Sequence, residues 1–230
     1  TGQSTVDGIL RATNILLAGK KTLVCGYGWC GKGVASRLRG MGANVAVAEI
    51  DPIKALEALM DGFSVRTIKD AIKDNDLVIT ATGNKSVLTV SDLKSAKDGI
   101  IVANTGHFNV EFDYEGIIKV AKNRRHLREN LEEITFDDGK KIFVLAEGRL
   151  VNLVTAEGHP PDVMDMSFAN QALAAEYLVK NRGKLKVGVH TIPKELDEMI
   201  AQLKLESLGI KIDQLTEEQK KYLTSWNEGT

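Results

Sequence analysis

Residues 26–31 read Gly26-Tyr27-Gly28-Trp29-Cys30-Gly31, set between a short apolar run at 22–25 and a helix-patterned segment at 32–41. Three glycines at this spacing, after a strand and at the mouth of a helix, form the turn on which a dinucleotide pyrophosphate rests. Gly26 permits the sharp turn. Gly28 leaves the backbone open to a phosphate, and Gly31 lets helix and strand pack closely. The free N–H groups of the first helical turn then face the anion. The acidic partner such a loop needs is Glu49, which ends the next apolar run. Its carboxylate suits the adenosine ribose hydroxyls and repels a 2′-phosphate, so the pattern predicts NAD over NADP. Lys54 is the nearby cation that works against this preference.

The loop sits in an alternating series. Apolar strand-like runs recur at 22–25, 44–50, 63–66, 77–80 and 100–103, with helical segments at 4–17, 32–41 and from Asp51-Pro52 onward. In the last of these Ile53, Leu56 and Leu59 recur at helical spacing. Strand and helix in alternation predict an α/β fold, a doubly wound, mostly parallel Rossmann-like sheet. Beyond Gly116 the pattern changes. Residues 117–128 read as a helix, with Lys122, Arg124, Arg125, Arg128 and the following Glu129, Glu132 and Glu133 forming a solvated face. Residues 134–145 read as a hairpin with a tight primed turn at Asp138-Gly139. Gly158-His159-Pro160-Pro161 breaks the chain as a hinge. Helices then follow at 167–179, 193–208 and 216–225, the last opened by a capping box from Thr216 to Gln219. The expected division is a Rossmann-like domain at 1–157, with a leading helix at 1–17, a hinge and returning helix at 158–190, and a C-terminal helical tail at 191–230.

A chain of 230 residues with 43% hydrophobic and 27% charged residues can bury a large core. Its net charge of −1 gives no reason to expect nucleic acid or a membrane surface as partner. No apolar run approaches the roughly 18 residues of a membrane span. Two cysteines are too few for a disulfide framework and suit a reducing, cytoplasmic compartment. No His, Cys, Asp and Glu cluster has metal-ligand spacing, so no metal is expected. The chain opens on Thr1 without an initiator methionine and is expected to be a piece of a longer protein.

Two more loops leave the carboxyl ends of strands, where open α/β sheets bind ligands. Thr80-Ala81-Thr82-Gly83-Asn84 is expected to pass the cofactor. Asn104-Thr105-Gly106-His107 would bring His107 toward the nicotinamide, with Phe108 helping to desolvate the site. Position alone leaves His107 open between a structural and a functional role, and His159 is as consistent with a turn residue. Cys30 reads as a small residue packed under the cofactor in preference to a reactive thiol. His126 and His190 read as structural or exposed.

These strings together carry a resemblance. Gly26 to Gly33, Glu49-Ile50-Asp51-Pro52, Asn104 to Glu111, Ala146-Glu147-Gly148-Arg149-Leu150-Val151-Asn152-Leu153, Gly158-His159-Pro160, Ser167 to Gln171, Val187 to His190 and Leu215 to Gln219 resemble the adenosylhomocysteinase family. They occur in the family's order and span nearly the whole chain. The resemblance implies reversible hydrolysis of S-adenosylhomocysteine to adenosine and homocysteine. The ribose 3′-hydroxyl is oxidised to a ketone at the expense of bound NAD, which acidifies the C4′ proton. Homocysteine thiolate leaves from C5′, water adds, and the ketone is reduced again. By motif, Gly28, Trp29, Cys30, Glu49, Thr82, Thr105, Gly106, His107 and Asn152 border NAD, beside Gly26, Gly31, Gly83 and Asn84 from the loops. His107 and His159 face the substrate. The resemblance also implies a homotetramer.

The same resemblance puts most of the substrate domain before the point matching Thr1, so the chain alone is expected not to turn over. A lysine- and tyrosine-bearing tail found in many relatives is not matched after Thr230, which leaves its contacts with a neighbouring subunit's NAD in doubt. Two other readings remain: a 2-hydroxyacid dehydrogenase-like oxidoreductase, which shares the cofactor architecture, and a non-catalytic NAD-binding regulatory module. The nucleobase, adenine or hypoxanthine, is not specified by these residues.

Overall fold

The computed structural model describes residues 1–226. The chain divides into two compact units, Thr1–His159 and Pro160–Thr230. In chain order the first holds α1 (Gly2–Thr13), β1 (Lys21–Cys25), α2 (Trp29–Gly40), β2 (Asn44–Ala48), α3 (Pro52–Met60), β3 (Ser64–Val65), α4 (Ile68–Ala71), β4 (Leu77–Thr80), α5 (Val90–Ser95), β5 (Ile100–Asn104), α6 (Tyr114–Lys119), β6 (Asn123–Arg128), β7 (Leu131–Thr135), β8 (Lys141–Leu145) and α7 (Val151–Val154). The second holds α8 (Pro161–Lys180), α9 (Lys194–Ser207) and α10 (Glu217–Leu223).

All eight strands form one sheet in the order β3-β2-β1-β4-β5-β8-β7-β6. The first six in that order run parallel, and β7 and β6 add an antiparallel edge. The chain winds outward from β1 to β3, then returns to the other side of β1 for β4. That reversal is the doubly wound arrangement the alternation predicts, and it opens a crevice between β1 and β4. Successive strand residues alternate between two apolar layers. Val24, Val47 and Ile79 join the side chains of α1 and α2 on one face. Leu23, Ala46, Val78 and Val102 join Ile72, Leu93 and Ile117 on the other. The two-sided burial explains why these strands read as unbroken apolar runs. On the first face α1 and α2 meet at a point where a Cβ on Gly2 would lie 2.3 Å from the carbonyl of Gly33.

Three local expectations are corrected. Residues 117–128 are not one helix: α6 ends at Lys119 and Arg124, Arg125 and Arg128 lie on β6, paired antiparallel with β7. Nor are Glu132 and Glu133 solvated, since both are buried. The spacing of Arg124 and Arg128 mimics a helix face, but cross-strand pairing decides the outcome. Arg124 meets Glu132 at 2.7 Å and Arg125 meets Glu133 at 3.2 Å, while Asn130 turns the chain at φ 59°. The second hairpin is present, but its turn is wider than a two-residue primed turn. The Phe136 N–H donates to the Lys140 carbonyl at 2.9 Å, enclosing three residues that end on Gly139 at φ 87°. The helix α3 forms as its spacing predicts; it packs on Ala58 and leaves Ile53, Leu56 and Leu59 exposed.

In the second unit α8 runs twenty residues and α9 fourteen. Lys204 pairs with Asp165 at 2.9 Å. Thr216 and Gln219 form the reciprocal cap expected at α10. The last four residues of the expected tail, 227–230, lie outside the described residues. None of the helices described is long and apolar enough to cross a membrane.

Candidate functional site

The strand register brings the chemistry to one edge. Cys25 pairs with Ala48 and with Thr80, and Thr80 pairs with Asn104. The residues that follow these strand ends, Gly26, Glu49, Ala81-Thr82 and Thr105-Gly106, therefore line up along the carboxyl edge of the sheet.

At its centre Gly26 turns with φ 100°, and a Cβ there would lie 2.7 Å from the Ala81 carbonyl oxygen. A Cβ on Gly31 would sit 2.0 Å from the Gly26 carbonyl oxygen, so α2 can start this close to the turn only without a side chain. Gly28 is different: no atom lies within 4 Å of its missing Cβ, and it caps α2 with no side-chain hydrogen bond. The first N–H groups of α2 thus lack a side-chain acceptor and border open space, as an anion site at a helix N-terminus requires. Tyr27 points the other way into the core, where its hydroxyl donates to Asp61 at 2.7 Å and its ring meets Phe63 edge-on. Trp29 is exposed, with the Lys32 ammonium 5.6 Å from its ring centroid.

Glu49 clamps this loop. Its Oε2 accepts the Tyr27 N–H at 2.6 Å, and its Oε1 accepts those of Ile50 at 2.7 Å and Asp51 at 3.0 Å. Burial alone would raise the carboxyl, but these three bonds and the Lys54 charge outweigh it and hold Glu49 below its ordinary value. Lys54 itself lies 3.8 Å from Asp51. The Cys25 thiol below the loop is fully buried and is pushed well up by burial, then by the charges of Glu111 and Asp92, which makes it inert.

On the other side of the crevice two residues that sequence reasoning did not single out hold the loops. Glu111 is fully buried. Its carboxylate accepts the Thr82 N–H and hydroxyl, both at 3.0 Å, and the Gly83 N–H at 2.5 Å. Asn104, also fully buried, accepts from the Thr80 hydroxyl at 3.1 Å and the Gly106 N–H at 3.0 Å. Its amide donates to the carbonyls of Phe108 and Gly148, each at 2.9 Å. The Gly148 carbonyl reaches it because Ala146, Glu147 and Gly148 all turn through positive φ after β8, a strained segment beside the site. The available signal was an acidic side chain between Val110 and Phe112, where only burial with partners fits.

Among the expected site residues, Thr105 bonds Thr5 at 2.6 Å and Asn152 at 3.3 Å, all three buried. The His159 Nε2 lies 3.2 Å from the Thr1 hydroxyl, which also receives the Cys30 thiol at 3.5 Å, so His159 reaches the glycine loop through one side chain. His107 is brought to the same edge, but its ring lies tilted at 53°, centroids 4.0 Å apart, against a Phe108 that is itself 65% exposed. The expected desolvation by Phe108 is therefore not supplied within this unit. Asn84 is exposed, and its side chain bonds only the neighbouring Lys85 N–H among the described residues. The uncapped helix start, the open Gly28 and the acid at the end of β2 fit a dinucleotide.

Comparison with known proteins agrees. Residues 1–158 match the family described as S-adenosyl-L-homocysteine hydrolase, NAD binding domain. The whole chain is 59% identical to adenosylhomocysteinase of Saccharolobus solfataricus and 60% identical to that of Aquifex aeolicus, covering 55% of each. The chain thus spans about half the length of these curated relatives. Among solved structures, the A chain of dipicolinate synthase from Bacillus subtilis is similar with a TM-score of 0.51 at 16% identity, over 77% of this chain and 53% of that one. At that identity the likeness concerns the α/β fold alone. The sequence match extends through the glycine loop, Glu49 and both flanking loops, and on it the chain belongs to the S-adenosyl-L-homocysteine hydrolase NAD-binding domain family, with NAD as its cofactor.

Proposed function

We propose that this chain is the cofactor-binding part of an enzyme that reversibly hydrolyses S-adenosylhomocysteine to adenosine and homocysteine. The observation that carries the reading is the alignment, on one sheet edge, of an uncapped glycine turn, Glu49 and the Glu111-tied loops, in a chain of this family. What NAD supplies when bound is a reversible hydride acceptor for a ribose carbon. The protein's own task is to hold, orient and shield.

In this reading the N–H groups at the start of α2, with Gly26, Gly28 and Gly31, receive the pyrophosphate, and Trp29 and Cys30 border it. Glu49 accepts from the adenosine ribose and discriminates against a 2′-phosphate. Thr82, Gly83, Asn84, Thr105, Gly106 and Asn152 line the nicotinamide side, where the Asn152 amide nitrogen has no protein acceptor among the described residues. His107 and His159 face the substrate. His107 is exposed here, so water exclusion at this edge falls to the remainder of the longer protein, which hinges on the segment about Gly158-His159. Assembly as a homotetramer and a cytoplasmic location belong to the same reading.

The test uses the intact protein. Incubation with S-adenosylhomocysteine should release homocysteine thiol and adenosine in equal amounts, with no net accumulation of NADH. Steady NADH formation from a 2-hydroxy acid, without thiol release, would overturn the proposal in favour of a dehydrogenase.

A further inference from the structure

The buried acids of this molecule are not equivalent. Glu132 and Glu133 each meet a cation, Arg124 and Arg125 respectively. Glu111, fully buried, is met by two peptide N–H groups and a hydroxyl, and among the described residues by no cation. Its surroundings give donors to both oxygens. A negative charge solvated only by neutral dipoles projects its field through low-dielectric protein. That field raises the neighbouring Cys25 thiol, second only to burial as a cause.

The place of the charge matters as much as its isolation. A Cβ on Gly106 would lie 1.9 Å from the Glu111 Oε1, and Gly83 donates to that same oxygen. The carboxylate therefore lies immediately beneath both loops that leave β4 and β5. Glu49 marks the adenosine end of the crevice, beyond β2 on the opposite side of the glycine turn. A dinucleotide spanning the crevice carries its nicotinamide toward β4 and β5.

We propose that Glu111 makes this site prefer the oxidised, cationic nicotinamide to its reduced, neutral form. The inference rests on the NAD site proposed above. The two forms differ by a hydride, two electrons and one proton, and so by one unit of charge on the ring. A buried, cation-free carboxylate stabilises the charged ring and is indifferent to the neutral one. Lys85 and His107 lie on the same loops but are exposed, where solvent and salt weaken their opposing influence. A carboxylate that merely tied the loops together would affect both forms alike.

The test is equilibrium titration of the intact protein with NAD+ and with NADH, before and after Glu111→Gln, with circular dichroism to verify folding. The variant should reduce the preference for NAD+ over NADH by about tenfold, equivalent to about 1.4 kcal/mol. An unchanged ratio, with both affinities reduced equally, overturns the proposal and leaves the NAD site standing. Should the variant not fold, the unmutated protein decides through a dinucleotide in which benzamide, neutral and of the same shape, replaces nicotinamide. It should bind about tenfold more weakly than NAD+; equal binding overturns the proposal. Failure of the unmutated protein to bind any of these dinucleotides overturns the site and the proposal together.

Discussion

At the residue scale, Glu49 shows how one carboxylate serves both loop and ligand. A carboxylate offers about four lone-pair positions, and peptide N–H groups of Tyr27, Ile50 and Asp51 take three. One position on Oε2 is left for a ribose hydroxyl. Glu49→Ala should therefore weaken NAD by about ten- to a hundredfold, the loss of a charge-assisted hydrogen bond plus a loosened turn. It should also narrow the preference over NADP. Because folding lowers the pKa of Glu49, its contribution to stability is fully present above the ordinary glutamate value, about 4.3. It is lost as the pH falls through the lowered folded value. NAD titrations and urea midpoints at pH 7 and pH 5.5 should thus differ little on account of this group, with the loss setting in below the ordinary glutamate value. Glu49 was legible because its distance from the glycine turn is set by one helix and one strand. Glu111 was not, since it acts on a loop 29 residues away whose proximity only the β4–β5 pairing creates.

At the element scale the parallel strands were legible because burial on both faces leaves a continuous apolar run. The outermost strand was not: β6 is exposed along its whole length, so no apolar pattern records it, and its arginines follow partners on β7, although the β7–β8 hairpin was read from its turn. Those partners separate two otherwise similar cations. Arg124 reaches Glu132, buried and also bonded by the Tyr114 hydroxyl at 2.8 Å. Arg128 makes no ion pair among the described residues. Arg124→Met should lower stability by about 2 kcal/mol, by leaving a buried carboxylate short of its cation. Arg128→Met should change it by less than about 0.5 kcal/mol. Urea midpoints of the two variants measure the difference, and equal shifts would show that β6 is held by its backbone ladder alone. The exposed stripe of α3 teaches the complementary lesson. Helical spacing of Ile53, Leu56 and Leu59 identifies the helix, but the face that packs is chosen by the small Ala58, which permits close approach to the sheet.

At the scale of the whole molecule, the distribution of buried apolar surface decides what can fold alone. The buried hydrophobic residues of the described chain all belong to the unit Thr1–His159 except Ile200. The first unit therefore has two complete apolar layers about a closed winding of strands, together with the glycine turn, Glu49, both flanking loops, Asn152 and His159. The second has long helices, surface ion pairs and one reciprocal cap at α10, which are worth about 1 kcal/mol or less apiece. Helices of this length are marginal in water without an apolar face to bury. A polypeptide of residues 1–159 should consequently unfold in urea as one cooperative transition, with a slope of about 1–3 kcal/mol per molar, and should retain NAD affinity. A polypeptide of residues 160–230 should show helical circular dichroism that declines gradually with urea and no transition. If 1–159 melts without cooperativity, the sheet depends for its stability on chain outside it, and the two apolar layers do not suffice as the core.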